Sequence, residues 1–114
     1  MTQFQQYNFV KSISEMSAFA HAEAIKKGFW DSDRNNGELI ALIHSELSEA
    51  LEGLRHNNPP SDKIPEFTSV EEELADACIR IFDMADARGY QLGEAIIAKL
   101  RYNRERSFRH GKEF

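Results

Sequence analysis

The chain has 114 residues, of which 41% are hydrophobic, so it is long enough for one compact domain over residues 1–114 and too short for a second domain. Its single cysteine, Cys78, excludes an intramolecular disulfide and is typical of a reducing compartment, so we expect a cytoplasmic protein. A formal net charge of −5 argues against a general nucleic-acid-binding protein, and the lack of a signal-peptide pattern or of a run of about 18 apolar residues predicts neither export nor a membrane anchor.

The composition favours helices over a sheet, because Ala, Leu, Ile, Glu and Lys are abundant while prolines and glycines are few. Apolar residues at helical spacing predict a first helix near residues 6–27, with Gly28 as a cap after it. A polar turn separates this helix from a second one, which apolar positions from Ile40 to Leu54 mark and which ends near residues 55–58.

The segment after the second helix holds all three prolines and is predicted to be a loop, because proline removes helical hydrogen bonds. Ser69 lies three residues before Glu72, a spacing that predicts a capping box at the start of a third helix. This helix is expected to run to about Arg88 and to stop at Gly89. A last helix begins near Leu92 and frays towards the C-terminus. We therefore expect an all-α fold with four main helices in a bundle, completed by oligomerisation.

Acidic side chains form one row on each of the two middle helices. At about 100° per residue, Glu46 and Glu49 share a row beside the apolar stripe of the second helix. On the third helix, apolar residues cover more than half of the circumference, and Cys78 among them is expected to pack in the core. The remaining polar strip of the third helix consists of Glu73, Asp76, Arg80 and Asp83.

These acidic rows have two interpretations. Charged positions on amphipathic helices are usually solvated, so each row alone is compatible with an ordinary surface. Acids at i and i+3, however, bring like charges within about 5–6 Å, and this arrangement occurs twice on helices expected to be neighbours. Four carboxylates converging from two antiparallel helices form an all-oxygen site that suits Mg²⁺ or Mn²⁺. A di-iron site would need Glu-x-x-His pairs, which neither row supplies.

Three short motifs follow one another along the chain: E-x-x-E at 46–49, E-x-x-D at 73–76 beyond the proline-bearing loop, and K-x-x-x-N-x-x-R at 99–106. This ordered set, over roughly residues 30–112, resembles the MazG-like all-α nucleotide pyrophosphohydrolases. The resemblance implies Mg²⁺-dependent cleavage of a nucleoside triphosphate to the monophosphate and pyrophosphate. The metal ligands that it implies are Glu46, Glu49, Glu73 and Asp76. Glu72 is assigned to the helix cap instead.

The charges in the chain are consistent with this chemistry. A triphosphate can enter an acidic pocket only with metal between the negative charges, and Mg²⁺ there would screen the phosphates and polarise the α-phosphoryl group. One acid that is not fully engaged with the metal is needed to orient the attacking water as general base, and Glu49 is our candidate.

Positive charge is concentrated near the end of the chain, where six of the fourteen Lys and Arg residues lie between positions 99 and 112. Lys99, Asn103 and Arg106 share one helical face, from which they can bind phosphate oxygens or a sugar hydroxyl. Arg109 and Lys112 are further candidates for phosphate contacts. The alternative is that these cations only interact with the dipole at a helix C-terminus.

Two further residues each have two interpretations. Trp30, the only tryptophan, lies in the polar turn before the acid-bearing helix, where it either stacks on a nucleotide base or fills the edge of the core. Asp83, at the end of the acidic strip, either supports the metal ligands or pairs with Arg80.

Three functions are compatible with these features. We favour a Mg²⁺-dependent nucleoside triphosphate pyrophosphohydrolase that removes modified or surplus nucleotides. A non-catalytic nucleotide- or metal-binding module and a purely structural helical oligomer are the alternatives. In each case we expect a homodimer or homotetramer, because amphipathic helices of this size leave apolar surface uncovered. Neither a membrane nor a nucleic acid is expected as a partner.

Overall fold

The computed structural model describes residues 1–106, and this part of the chain forms four α-helices without a β-strand. The helices are α1 (Gln3–Lys26), α2 (Asn36–Arg55), α3 (Ser69–Arg88) and α4 (Leu92–Arg104). The prediction of an all-α chain with four main helices is thus confirmed for the described residues. Within them, no helix combines the length and the apolar character needed to cross a membrane.

The start of α3 differs by one residue from the prediction. Its capping box is formed by Thr68 and Glu71, whose side chains exchange hydrogen bonds with each other's backbone N–H groups. The predicted pair, Ser69 and Glu72, is wrong, because the first residue with helical geometry is Ser69 itself. The predicted end of α3 is confirmed, since Gly89 adopts the left-handed conformation with φ of 69°.

α3 is the central helix, because it packs against both α1 and α2, while α4 packs against α1. α2 and α3 run antiparallel: Gly53 near the end of α2 faces the start of α3, and Arg88 at the end of α3 donates a hydrogen bond of 2.8 Å to Asn36 at the start of α2. A Cβ atom at Gly53 would lie 3.2 Å from the Ser69 side chain, so glycine allows the two helices to approach closely.

The faces that α2 and α3 bury agree only in part with the predicted ones. The buried residues are Leu39, Glu46, Ala50 and Gly53 on α2, and Glu73, Ala77, Asp83, Met84 and Ala85 on α3. Ala50, Ala77, Met84 and Ala85 among them belong to the predicted apolar stripes. Several larger residues of these stripes are exposed instead: Ile40, Leu47, Leu51 and Leu54 on α2, and Leu74 and Ile81 on α3. Cys78 is exposed as well, so its assignment to the core is wrong. Acidic side chains therefore lie inside the α2/α3 seam, and a large part of the apolar surface faces outward.

Candidate functional site

The acids of the two motifs meet at the seam between α2 and α3. Carboxylate oxygens of Glu46, Glu49 and Glu73 lie within 4.8 Å of one another. Carboxylate oxygens of Glu72, Glu73 and Asp76 form a second group and also lie within 4.8 Å of one another. Glu73 belongs to both groups, so these five residues form one acidic cluster, which includes the four acids that the motifs predict.

Two acids of the cluster are buried without sufficient hydrogen bonds. The exposed fractions of Glu46 and Glu73 are 8% and 9%. Among the residues that the structure describes, neither Glu46 Oε2 nor Glu73 Oε2 has a hydrogen-bond partner. A buried carboxylate oxygen without a partner is energetically costly, so a proton or a cation is needed at this position.

The protonation of the cluster reflects this crowding. Burial, with hydrogen bonding and charge from the neighbouring carboxyl groups, raises the pKa of Glu73 to about 8. Burial also raises the pKa of Asp76, and the negative charges of Glu46 and Glu72 act in the same direction. Protons thus occupy part of a cluster that has more negative charge than the surrounding protein neutralises.

The cluster fits a divalent cation. All its donor atoms are carboxylate oxygens, the ligands preferred by Mg²⁺ and Mn²⁺, and the unpartnered oxygens of Glu46 and Glu73 would gain a partner. Glu46, Glu49 and Glu73 would hold one such ion. The group of Glu72, Glu73 and Asp76 offers the same chemistry one turn away.

A cavity of about 650 Å³ opens beside the cluster, within the size range of small-molecule sites. Its polar wall contains Glu46, Glu49 and Asp76, together with the cationic residues Lys63 and Arg80. The lining also contains apolar residues, namely Met16, Phe19, Ala20, Ala24, Phe29 and Ile79, together with the charged residues Glu23, Lys27 and Asp83. The cavity therefore joins a strongly acidic end to an apolar surface supplied mainly by α1.

Asp83 and Trp30 contact each other, which the sequence did not indicate. Trp30 Nε1 donates a hydrogen bond of 3.0 Å to Asp83 Oδ1, and His21 Nδ1 lies 2.7 Å from the same oxygen. The rings of Trp30 and His21 pack nearly perpendicular, with their centroids 5.2 Å apart. Arg80 is not paired with Asp83 here; its Nε lies 3.4 Å from Glu46 Oε1. Asp83 thus ties α1 and the following turn to α3.

The placement of Trp30 bears on its two interpretations. Among the described residues, Trp30 does not line the cavity beside the acids, and its hydrogen bond and ring contacts are those of a residue at the edge of the core. Base stacking by Trp30 stays a prediction.

The basic face of α4 lies away from the acidic cluster in the single chain. α4 packs against α1, and no α4 residue is among the described residues that line the cavity. Lys99 Nζ and the Arg106 guanidinium lie 4.6 and 5.5 Å from the ring centroid of Tyr102, and Asn103 Oδ1 is buried without a partner among residues 1–106. Phosphate binding by this face stays a prediction. Arg109 and Lys112 lie outside the described residues.

Two residues at the site were missed by sequence reasoning. Glu72 belongs to the acidic cluster, and the one-residue shift of the capping box explains why it was assigned to the cap. Lys63 lines the cavity from the loop between α2 and α3. The available signal was that Lys63 is the single lysine or arginine of the proline-bearing loop that separates the two acidic motifs.

Comparisons with protein-family models, with curated proteins and with solved structures gave no match.

Proposed function

We propose that this protein is a Mg²⁺-dependent pyrophosphohydrolase that cleaves a nucleoside triphosphate to the monophosphate and pyrophosphate, in a cytoplasmic role of clearing modified or surplus nucleotides. The observation that carries the proposal is the pair of buried acids Glu46 and Glu73, each with one unpartnered oxygen, beside a cavity of about 650 Å³. The order of the E-x-x-E and E-x-x-D motifs adds support.

The residues around the cavity have distinct roles in this reaction. Bound Mg²⁺ supplies positive charge that neutralises the phosphates and polarises the α-phosphoryl group. Glu49 is an exposed member of the cluster; one of its carboxylate oxygens would contact the metal, while the other orients a water molecule towards the α-phosphorus and accepts its proton. The water oxygen forms a new bond to the α-phosphorus as the bond from the α-phosphorus to the bridging oxygen breaks, and pyrophosphate leaves with the bridging oxygen. Arg80 holds Glu46 in position through the contact between its Nε and Glu46 Oε1.

The apolar wall of the cavity is suited to the nucleoside part of the substrate. Phe19 and Phe29 are aromatic residues of this wall, and aromatic and aliphatic side chains pack against the flat face of a base. The acids belong to α2 and α3 and most of the apolar lining residues belong to α1, so a nucleotide bound with its phosphates at the cluster would place its base towards α1.

A second copy of the chain completes the bundle in this proposal. Exposed apolar residues on α2, such as Leu47 and Leu51, are turned by about 100° from the buried face. Leu74 and Ile81 on α3 are turned by about 50° from the buried Ala77, in the same rotational sense. Because the two helices are antiparallel, both stripes lie on the same side of the pair and form one apolar surface. Covering this surface in a homodimer or homotetramer removes it from water.

The proposal is tested by measuring pyrophosphate release from a panel of canonical and modified nucleoside triphosphates, with and without Mg²⁺. We expect release only with a divalent cation. Glu46→Gln and Asp76→Asn should each lower turnover by more than about a hundredfold, because loss of a metal ligand should exceed the 10–100-fold cost of losing an outer-shell partner. Glu15→Gln, an exposed acid on α1, is the matched control and should retain activity.

Circular dichroism of each variant separates loss of activity from loss of folding. Parental turnover in both Glu46→Gln and Asp76→Asn would show that the metal site is wrongly placed. Failure of every nucleotide in the panel to yield pyrophosphate would contradict the enzymatic function itself.

A further inference from the structure

The loop that joins α2 to α3 is held in a fixed shape although it contains all three prolines. The backbone N–H of Ser61 donates to the carbonyl oxygen of Phe67 at 2.8 Å, and the N–H of Ser69 donates to that of Pro59 at the same distance. These bonds link the two arms of the loop and attach it to the start of α3. The loop is therefore an ordered arm beside the acidic cluster.

The Ser61 side chain connects this loop to the acidic cluster through hydrogen bonds. It is 3% exposed, and its Oγ accepts hydrogen bonds of 3.1 Å from the backbone N–H groups of Lys63 and Ile64. The same hydroxyl donates to Glu72 Oε1. A buried hydroxyl thus connects the backbone of Lys63 directly to an acid of the cluster.

The Lys63 side chain is exposed to solvent, although the backbone of this residue is held by a hydrogen bond. It is 82% exposed, and its Nζ lies 3.9 Å from Glu72 Oε2. An exposed ion pair at this distance contributes little to stability, so the ammonium group can exchange Glu72 for another anion. Lys63 also borders both the large cavity and a second cavity of about 490 Å³ that contains Glu49, Glu72 and Glu73.

We infer that Lys63 is a substrate-binding residue whose ammonium group contacts phosphate oxygens of the triphosphate at the rim of the acidic cluster. The inference rests on the proposed function and adds a phosphate contact that the motifs do not contain. A triphosphate carries more negative charge than one divalent cation neutralises, so a protein cation is needed beside the metal. Arg80 is already engaged with Glu46, and the basic face of α4 lies elsewhere in the chain.

The test measures binding rather than turnover. Wild type, Lys63→Met, Lys63→Arg and the control Lys11→Met are titrated calorimetrically in Mg²⁺ with inorganic triphosphate and with a non-hydrolysable nucleoside triphosphate. Lys11 is an exposed lysine on α1 that pairs with Glu15, outside both cavities. Lys63→Met should weaken binding of both probes by about ten- to a hundredfold, and Lys63→Arg by less, because a charge-assisted hydrogen bond is lost only in the first.

The two probes separate this inference from the proposed function. If Lys63→Met binds inorganic triphosphate as tightly as wild type, the phosphate contact is wrong, whether or not the enzyme is active. If inorganic triphosphate binding depends on Lys63 but no nucleotide is hydrolysed, the contact stands and the proposed reaction is wrong. Wild type that binds neither probe contradicts both. Equal weakening by Lys63→Met and Lys11→Met would reveal only a general charge effect and would also overturn the inference.

Discussion

The raised pKa of Glu73 links the stability of the folded chain to pH. Burial and the adjacent carboxyl groups raise its pKa from an ordinary value of 4.5 to about 8. Between these two values the folded, metal-free protein keeps a proton on Glu73, whereas the unfolded chain has lost it. The folded state thus binds more protons, so its stability falls as the pH rises through this range. A divalent cation bound at the cluster would take the place of this proton.

We predict that the metal-free protein is less stable at pH 8 than at pH 6. The free energy of unfolding should fall by no more than about 1.4 kcal/mol per pH unit, which is the linkage limit for one titrating group. Urea denaturation in a chelator at both pH values measures this change. Glu73→Gln should reduce the dependence on pH, and added Mg²⁺ should stabilise the wild type most at pH 8. An equal pH dependence in wild type and Glu73→Gln would contradict the assignment.

At the scale of helices and loops, the sequence predicts helix ends and loops more closely than it predicts which face of a helix is buried. Gly89 and the three prolines act through local backbone geometry. The end of α3 and the loop between α2 and α3 could therefore be predicted from neighbouring residues alone. Which face a helix buries depends on its partner. The small residues Gly53 and Ala77 allow α2 and α3 to approach through their acidic rows, and the larger apolar stripes then face outward.

In the candidate site, contacts that follow from local helix spacing were predictable, and contacts that depend on the tertiary fold were not. The spacing of Glu46, Glu49, Glu73 and Asp76 was sufficient to predict that their carboxylates converge, because i and i+3 positions share a face of a helix. The contact of Asp83 with His21 and Trp30 joins positions 62 and 53 residues apart, and no local pattern encodes it. The contact of Lys63 with the cluster depends on the folded shape of a loop, which proline content alone does not specify.

The hydrogen bonds of Ser61 predict that its hydroxyl stabilises the loop between α2 and α3. Ser61→Ala should lower the free energy of unfolding by about 1–3 kcal/mol, because two backbone N–H groups lose their acceptor and Glu72 loses a donor. Ser48→Ala, at an exposed position of α2, is the control and should change stability by less than about 0.5 kcal/mol. Urea midpoints of the two variants make the comparison, and an unchanged midpoint for Ser61→Ala would show that its hydroxyl does not hold the loop.

For the molecule as a whole, the balance of surfaces points to association. α1 packs against α3, while leucine and isoleucine side chains of both α2 and α3 are exposed. Contiguous apolar surface of this kind is unusual on a chain that stays monomeric. An acidic seam at the centre of the pair also lowers the stability that the single chain can reach without metal. A second copy on the apolar side and a cation in the seam would compensate for these two features separately.

We therefore predict that the wild type sediments at a multiple of 13.1 kDa at micromolar concentration and that Leu47→Glu shifts it to the monomer. Leu47 is at the middle of the apolar stripe of α2 and is 45% exposed, so a charge there costs little in the single chain but is buried unpaired in a dimer. Ser48→Glu, one position along and also exposed, should leave the mass unchanged.

A wild type of 13.1 kDa would contradict association, whereas an oligomer unaffected by Leu47→Glu would place the interface on another surface. Because the acidic seam is already formed within one chain, the monomeric variant should still bind divalent metal, and loss of metal binding would show that a second chain helps to build the site.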